Sequence, residues 1–186
     1  MRIEYQNVDI AQEEHVILKG VNFQAEAGEF VYLIGKVGTG KSSLLKTFYG
    51  ELDVHTGSAR VLDREMTKIK RRHIPALRKR LGIVFQDFQL LNDRTVRANL
   101  DFVLKATGNL DKENGRRAAA ILYDISKAGT TVVLSTHNEE LISEFPGVVY
   151  RCGEGRLQEC TDAYTPLLAP DAIESKSIEE NINENN

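Results

Sequence analysis

The sequence has no uninterrupted apolar stretch approaching the ~18 residues of a membrane span. Its first residues, Met1-Arg2-Ile3-Glu4-Tyr5, lack the apolar core of a secretory signal. Together these lead to the expectation of a chain that stays in the cytoplasm. Cysteine is scarce. Cys152 and Cys160 are the only two, and their spacing fits no zinc or redox motif, so unpaired thiols are expected in a reducing compartment. A large net charge is also missing. The net charge is −3, and residues 161–186 hold six acids against one base. The remainder, with 23 basic and 21 acidic residues, is nearly neutral, so bulk charge gives no argument for nucleic acid. A basic cluster does occur at Lys68-Ile69-Lys70-Arg71-Arg72-His73 and Arg78-Lys79-Arg80, but no aromatics interleave it as nucleic-acid binding would favour. A solvated face is the expectation there; anionic headgroups or a membrane partner are the alternative. No internal repeat is present.

At 186 residues the chain is long enough for one well-buried core, and 41% hydrophobic with 27% charged residues is ordinary for a globular protein. The most informative segment is the octet Gly35-Lys36-Val37-Gly38-Thr39-Gly40-Lys41-Ser42. An apolar run, Phe30-Val31-Tyr32-Leu33-Ile34, precedes it, and a helix-like stretch, Ser43-Leu44-Leu45-Lys46-Thr47-Phe48, follows. Strand, glycine-rich loop and helix in that order match the phosphate loop G-x-x-x-x-G-K-[ST]. Its glycines let successive N–H groups turn inward, and the following helix aims its positive dipole end at the same anion. Lys41 would reach the β- and γ-phosphates, and the Ser42 hydroxyl would hold Mg²⁺.

Patterning along the chain predicts strands at 2–8, 21–25, 29–34, 57–62, 82–85, 131–135 and 148–152, with a terminal hairpin completed by 156–159. Helices are predicted at 74–80, 96–106, 115–127 and 138–145. In the helix at 115–127, Ala118, Ile121, Leu122 and Ile125 share one predicted apolar face. Early strands of antiparallel character, followed by strands alternating with helices, indicate one α/β domain with a β-rich N-terminal layer. The domain is expected over 1–160, with an acidic tail, too polar to bury a core, over 161–186.

Two further residues end predicted strands: Gln86 in Val84-Phe85-Gln86-Asp87, and His137 in Ser135-Thr136-His137. An amide can orient water or touch Mg²⁺ without adding charge, and an imidazole can donate to a γ-phosphate. Ligands of doubly wound sheets sit beyond the carboxyl ends of the strands, so loop, glutamine and histidine are expected to converge there.

This set resembles the ATP-binding subunits of ABC transporters, a branch of the P-loop NTPases. Residues 35–43, through Ser43, correspond to the phosphate loop, Gln86 to the Q-loop, His137 to the H-loop and Thr107-Gly108-Asn109-Leu110-Asp111 to the D-loop. Arg78-Lys79-Arg80-Leu81-Gly82-Ile83-Val84-Phe85-Gln86-Asp87 and the Thr-Gly-Asn-Leu-Asp pentad look most like the FtsE cell-division branch and its lipoprotein-release relatives. The resemblance implies ATP and Mg²⁺ as cofactors, with Ser42 and Gln86 at the metal and His137 and Gln86 as the catalytic side chains. It also implies a polytopic membrane partner, FtsX-like or a permease subunit, a head-to-tail homodimer, and a place on the cytoplasmic face of the inner membrane.

Two of the family's motifs are missing between the Q-loop and the D-loop. The sequence contains neither the Leu-Ser-Gly-Gly-Gln signature nor the Walker B strand, four apolar residues followed by Asp and Glu. Gly108 follows Gln86 by 22 positions, where the family pattern would add on the order of sixty residues. Thr-Gly at 107–108 fits both sides of the junction, as a deletion between two Thr-Gly copies, in the gene or its assembled sequence, would leave it. The expectations are an internally truncated fold, retained but weakened Mg-ATP binding and negligible hydrolysis. The alternatives are a nucleotide-responsive binding module that works without turnover, a truncated gene product and, less in keeping with Gln86 and His137, a small P-loop kinase. Base recognition also departs from the family, because Ala11 and Gln12 occupy the region of its adenine-stacking aromatic.

Overall fold

A computed structural model describes residues 2–83 and 112–164. The expected strand at 82–85 beyond Ile83, Gln86, the helix at 96–106 and the pentad 107–111 lie outside the described residues, as do residues 165–186.

The apolar alternation at the N-terminus forms a long antiparallel hairpin, β1 (Ile3–Gln12) with β2 (His15–Ala25), paired from Ile3↔Ala25 to Gln12↔His15. Both strands outrun their predicted lengths. The period-2 pattern breaks at register shifts between Tyr5 and Ala11. Asn7 and Gly20 take positive φ there, and the Gly20 N–H donates to Asp9 Oδ1 at 2.8 Å. A ladder with such irregularities continues where its sequence no longer alternates. β4 (Ser58–Val61) adds to the other edge of β1, and β5 (Arg64–Glu65) follows it.

The apolar run becomes β3 (Phe30–Ile34), whose five residues are all buried. It is parallel to β6 (Val132–Ser135) on one side and to β7 (Val148–Gly153) on the other, and β8 (Arg156–Glu159) closes the terminal hairpin in the order β6-β3-β7-β8. A strand apolar on both faces fits this covered position. Val31 and Leu33 enter a core shared with Ile3, Tyr5 and Phe23 of the antiparallel sheet and with Leu44 and Phe48 of α1 (Lys41–Phe48). Phe30, Tyr32 and Ile34 enter a second core with Ala119 and Leu122 of α3 (Lys112–Lys127), and Leu141 and Ile142 of α4 (Glu140–Glu144). The result is an antiparallel sheet, a mixed sheet whose β6, β3 and β7 are parallel, and a helical layer.

Three expectations are corrected. The helix at 74–80 is the shorter α2 (Ile74–Arg78), with Pro75 in its first turn. The inward face of α3 is Ala119, Leu122, Tyr123 and Ser126; Ile121 and Ile125 point outward, 44% and 37% exposed. Aromatic packing sets that rotation: the Tyr123 ring lies 5.6 Å from Phe30 and 5.5 Å from Phe145, which the smaller Ile121 could not bridge. Lastly, the strand expected at 131–135 from its apolar run Thr131-Val132-Val133-Leu134-Ser135 is β6, and it is not buried throughout as β3 is. Among the described residues it ends the strand order, and only Val132 of the strand is buried.

At the carboxyl end of the described residues a 3₁₀ turn, Thr161–Ala163, seats Tyr164 in the second core, so packing reaches four residues into the segment expected as an acidic tail.

Candidate functional site

β3 delivers the chain to Gly35 at the carboxyl edge of the parallel sheet. Gly35 has φ +139°, and a Cβ there would lie 2.3 Å from the Cys152 carbonyl oxygen on β7. Glycine alone lets the loop leave so close to its neighbour. At the other end of the loop, Gly40 has φ +98° and precedes α1; a Cβ there would meet Ile17 Cγ2 at 2.8 Å. The Leu44 N–H donates to the Gly40 carbonyl at 2.9 Å and closes the first turn. The amides of Lys41, Ser42 and Ser43 then have no partner within the helix, and the helix dipole adds positive potential where they point.

The loop curls around the Lys41 ammonium. Nζ donates to the Gly35 carbonyl at 2.6 Å and to the Lys36 carbonyl at 2.8 Å, and Thr39 Oγ1 donates to the same Lys36 carbonyl at 2.8 Å. Lys36, Val37, Gly38 and Ser42 are exposed, while Thr39, Gly40, Lys41 and Ser43 are half-buried. This is a concave ring of backbone centred on a cation and open to solvent. Beneath it the Cys152 thiol is 2% exposed, and burial pushes its pKa up to about 11, with Lys41 opposing the rise. The thiol therefore stays neutral near pH 7 and brings no negative charge to an anion site.

His137 leaves the carboxyl end of β6, the strand beside β3. Leu33 and Ser135 are register partners, and the Thr136 N–H donates to the Leu33 carbonyl at 3.1 Å, so His137 emerges at the same sheet edge as Gly35. Its side chain is exposed. The turn is tied locally: the Asn138 N–H donates to Thr136 Oγ1 at 3.0 Å and the Glu140 N–H to Asn138 Oδ1 at 3.0 Å. The 35–43 loop and His137 thus leave the same edge of the sheet. Gln86 lies outside the described residues.

Sequence reasoning did not single out Val16 at the hairpin tip. Ile17 and Leu18 pack against Gly40, which brings the start of β2 beside the loop, where His15 is exposed and Val16 is 47% exposed. In the sequence Val16 is one more apolar residue of a strand; its neighbours Ile17 and Leu18 are the ones that pack against Gly40. Part of the basic cluster has a structural task instead. Arg78 Nε donates to the Tyr49 carbonyl at 2.9 Å and Nη2 to the Gly50 carbonyl at 3.2 Å, past the end of α1, and Arg80 pairs with Asp63. Among the described residues no cluster of His, Cys, Asp and Glu could hold a metal ion by itself.

The family model described as "ABC transporter" matches residues 18–145. The cell division ATP-binding protein FtsE of Streptococcus pneumoniae is 25% identical over 198 residues, which takes in 75% of this chain and 86% of that protein. FtsE of Mycobacterium tuberculosis is 27% identical over the same length and coverage. Both alignments are longer than the whole chain, so they span positions with no counterpart here. FtsE of Haemophilus influenzae is 38% identical over 105 residues, 56% of this chain and 48% of that protein. Among solved structures, the dimeric post-hydrolysis state of the ATP-binding cassette MJ0796, bound to ADP and Pi, superposes with a TM-score of 0.69 at 18% identity, covering 85% of this chain and 97% of that one. CbiO1 from Clostridium perfringens, part of the transporter complex cbiONQ, gives 0.70 at 18% identity, covering 98% and 94%. These likenesses establish the P-loop fold of an ABC ATPase.

Proposed function

The chain belongs to the ABC transporter family, and on that premise we propose that it is an FtsE-like ATP-binding subunit that holds Mg-ATP in the 35–43 loop and hydrolyses it at a background rate. The observation that carries this reading is the Lys41 ammonium inside the ring of loop backbone, bonded at 2.6 and 2.8 Å to two carbonyls that phosphate oxygens would replace. The positive-φ glycines and the first-turn amides of α1 fit the β-phosphate, and His137, at the same edge, faces the γ-phosphate. The exposed Ser42 hydroxyl fits Mg²⁺, and Gln86 is its second protein ligand on this reading. Bound there, Mg²⁺ would neutralise the phosphate charge. Val16 and His15 cover the adenine in place of an aromatic, which weakens binding.

The binding loop is intact, whereas the sequence lacks the Walker B carboxylates and the signature motif. A positioned general base contributes typically ~10²–10⁴-fold in rate, and groups supplied in trans to a phosphoryl centre ~10³–10⁵-fold. Without either, the protein acts as a nucleotide-loaded docking module. It works on a polytopic membrane protein, from the cytoplasmic face of the membrane. Among the described residues no helix is long and apolar enough to cross a membrane. Residues 1–160 form the nucleotide unit, and 161–186 supply its acidic end. Phosphate release from saturating Mg-ATP is the test. Wild-type protein should release no more than Lys41→Ala, and a wild-type rate hundreds of times higher would refute loss of turnover.

A further inference from the structure

A second cluster of polar side chains stands next to the His137 turn, and the phosphate-loop reading does not use it. Glu139 is two residues beyond His137 and stands at the N-cap position of α4, where its side chain makes no capping bond. The Tyr164 hydroxyl donates to Glu139 Oε2, and that same hydroxyl accepts from Arg151 Nη2 at 2.6 Å. Arg151 Nη1 lies 3.4 Å from Glu139 Oε1 and closes the triangle. Glu139 and Arg151 are half exposed, with side chains 45% and 49% accessible, so their ion pair alone would contribute little. Tyr164 differs: it is 6% exposed, in the second core, and burial together with the Glu139 carboxylate pushes its pKa up to about 12. Its hydroxyl is fixed by the packing of its ring.

The placement of the three residues gives the cluster its meaning. Arg151 is the register partner of Ile34, the residue before Gly35, and so belongs to the strand end that supports the phosphate loop. On the near side of His137, Thr136 is held to Leu33 of β3 by a backbone bond. On the far side, Glu139 is held to β7 and to the last described residue of the chain. Between them His137 is exposed, and among the described residues short local turns hold it. We propose that Tyr164, Arg151 and Glu139 form a clasp that sets the position of His137, which makes Tyr164 a positioning residue for the γ-phosphate site. The clasp rests on the reading that His137 meets the γ-phosphate.

Comparison of ATP with ADP separates positioning from general stability, because only ATP carries the group His137 would touch. Mg-ATP and Mg-ADP are titrated into wild type, Tyr164→Phe, Glu139→Gln, His137→Ala and the double variant His137→Ala with Tyr164→Phe, with thermal unfolding followed for each. Tyr164→Phe removes one hydroxyl and keeps the ring; Glu139→Gln leaves Tyr164 untouched should the first variant fail to fold. The expected result is an ATP affinity about fivefold lower in either single variant, an unchanged ADP affinity, and no further loss of ATP affinity when Tyr164→Phe is added to His137→Ala. ATP and ADP affinities falling together, or an additive double variant, would overturn the clasp. If His137→Ala itself leaves the ratio of ATP to ADP affinity unchanged, the assignment of His137 fails and the clasp with it. If that ratio falls in His137→Ala but in neither clasp variant, the clasp alone fails.

Discussion

Gly35 shows how much of the site rests on one missing methyl group. Its φ of +139° and the Cys152 carbonyl, 2.3 Å from where a Cβ would stand, are both incompatible with a side chain. Gly38 has φ +83° but nothing within 4 Å of its Cβ position. Alanine at Gly38 should therefore cost about 1–2 kcal/mol, the strain of left-handed backbone. Gly35→Ala should cost clearly more, since backbone must also move. Urea denaturation of both variants checks the order, and equal losses would contradict the close approach. These glycines were legible in the sequence because the motif spacing names them. Glu139 and Tyr164 were not: nothing in the spacing of 139, 151 and 164 signals that β7 and a 3₁₀ turn bring them together. Val16 was missed for the same reason.

At the scale of elements, α1 is oriented by more than its apolar face. Thr47 is fully buried, its Oγ1 donates to the Leu44 carbonyl at 2.6 Å, and it accepts from the Tyr5 hydroxyl of β1 at 2.9 Å. The two ends of this bond are unequal. Tyr5→Phe leaves the Thr47 hydroxyl its bond to Leu44 and should cost ~1 kcal/mol, the net worth of a typical hydrogen bond. Thr47→Val leaves a buried tyrosine hydroxyl with its acceptor removed, and should cost about 1–3 kcal/mol. Chemical denaturation measures both, and a larger loss for Tyr5→Phe would contradict the geometry. Strong periodicity made β3, α1, β7 and the terminal hairpin readable. It misled for α3, where Ala118, Ile121, Leu122 and Ile125 fit an apolar face but Tyr123 carries the aromatic contacts that fix the rotation. It fell short for β1 and β2, whose alternation is broken by irregular pairing while the ladder continues.

For the molecule as described, the sheet order β6-β3-β7-β8 brings the 35–43 loop and His137 to one edge. Neighbouring parallel strands lie about 4.8 Å apart, so residues leaving adjacent carboxyl ends can serve a single ligand. The order itself could not be read from patterning, which does not say which strands pair; the convergence was legible only through the rule that ligands sit beyond the carboxyl ends of strands. Fold class and family were legible because a strand, a glycine loop and a helix in succession constrain one another more than composition does. The account as a whole depends on the 35–43 loop being a working triphosphate site, and calorimetric titration of Mg-ATP into wild type and Lys41→Ala tests this most directly. The account predicts saturable heat with one nucleotide per chain for wild type and none for Lys41→Ala. Equal heats from the two proteins would contradict it.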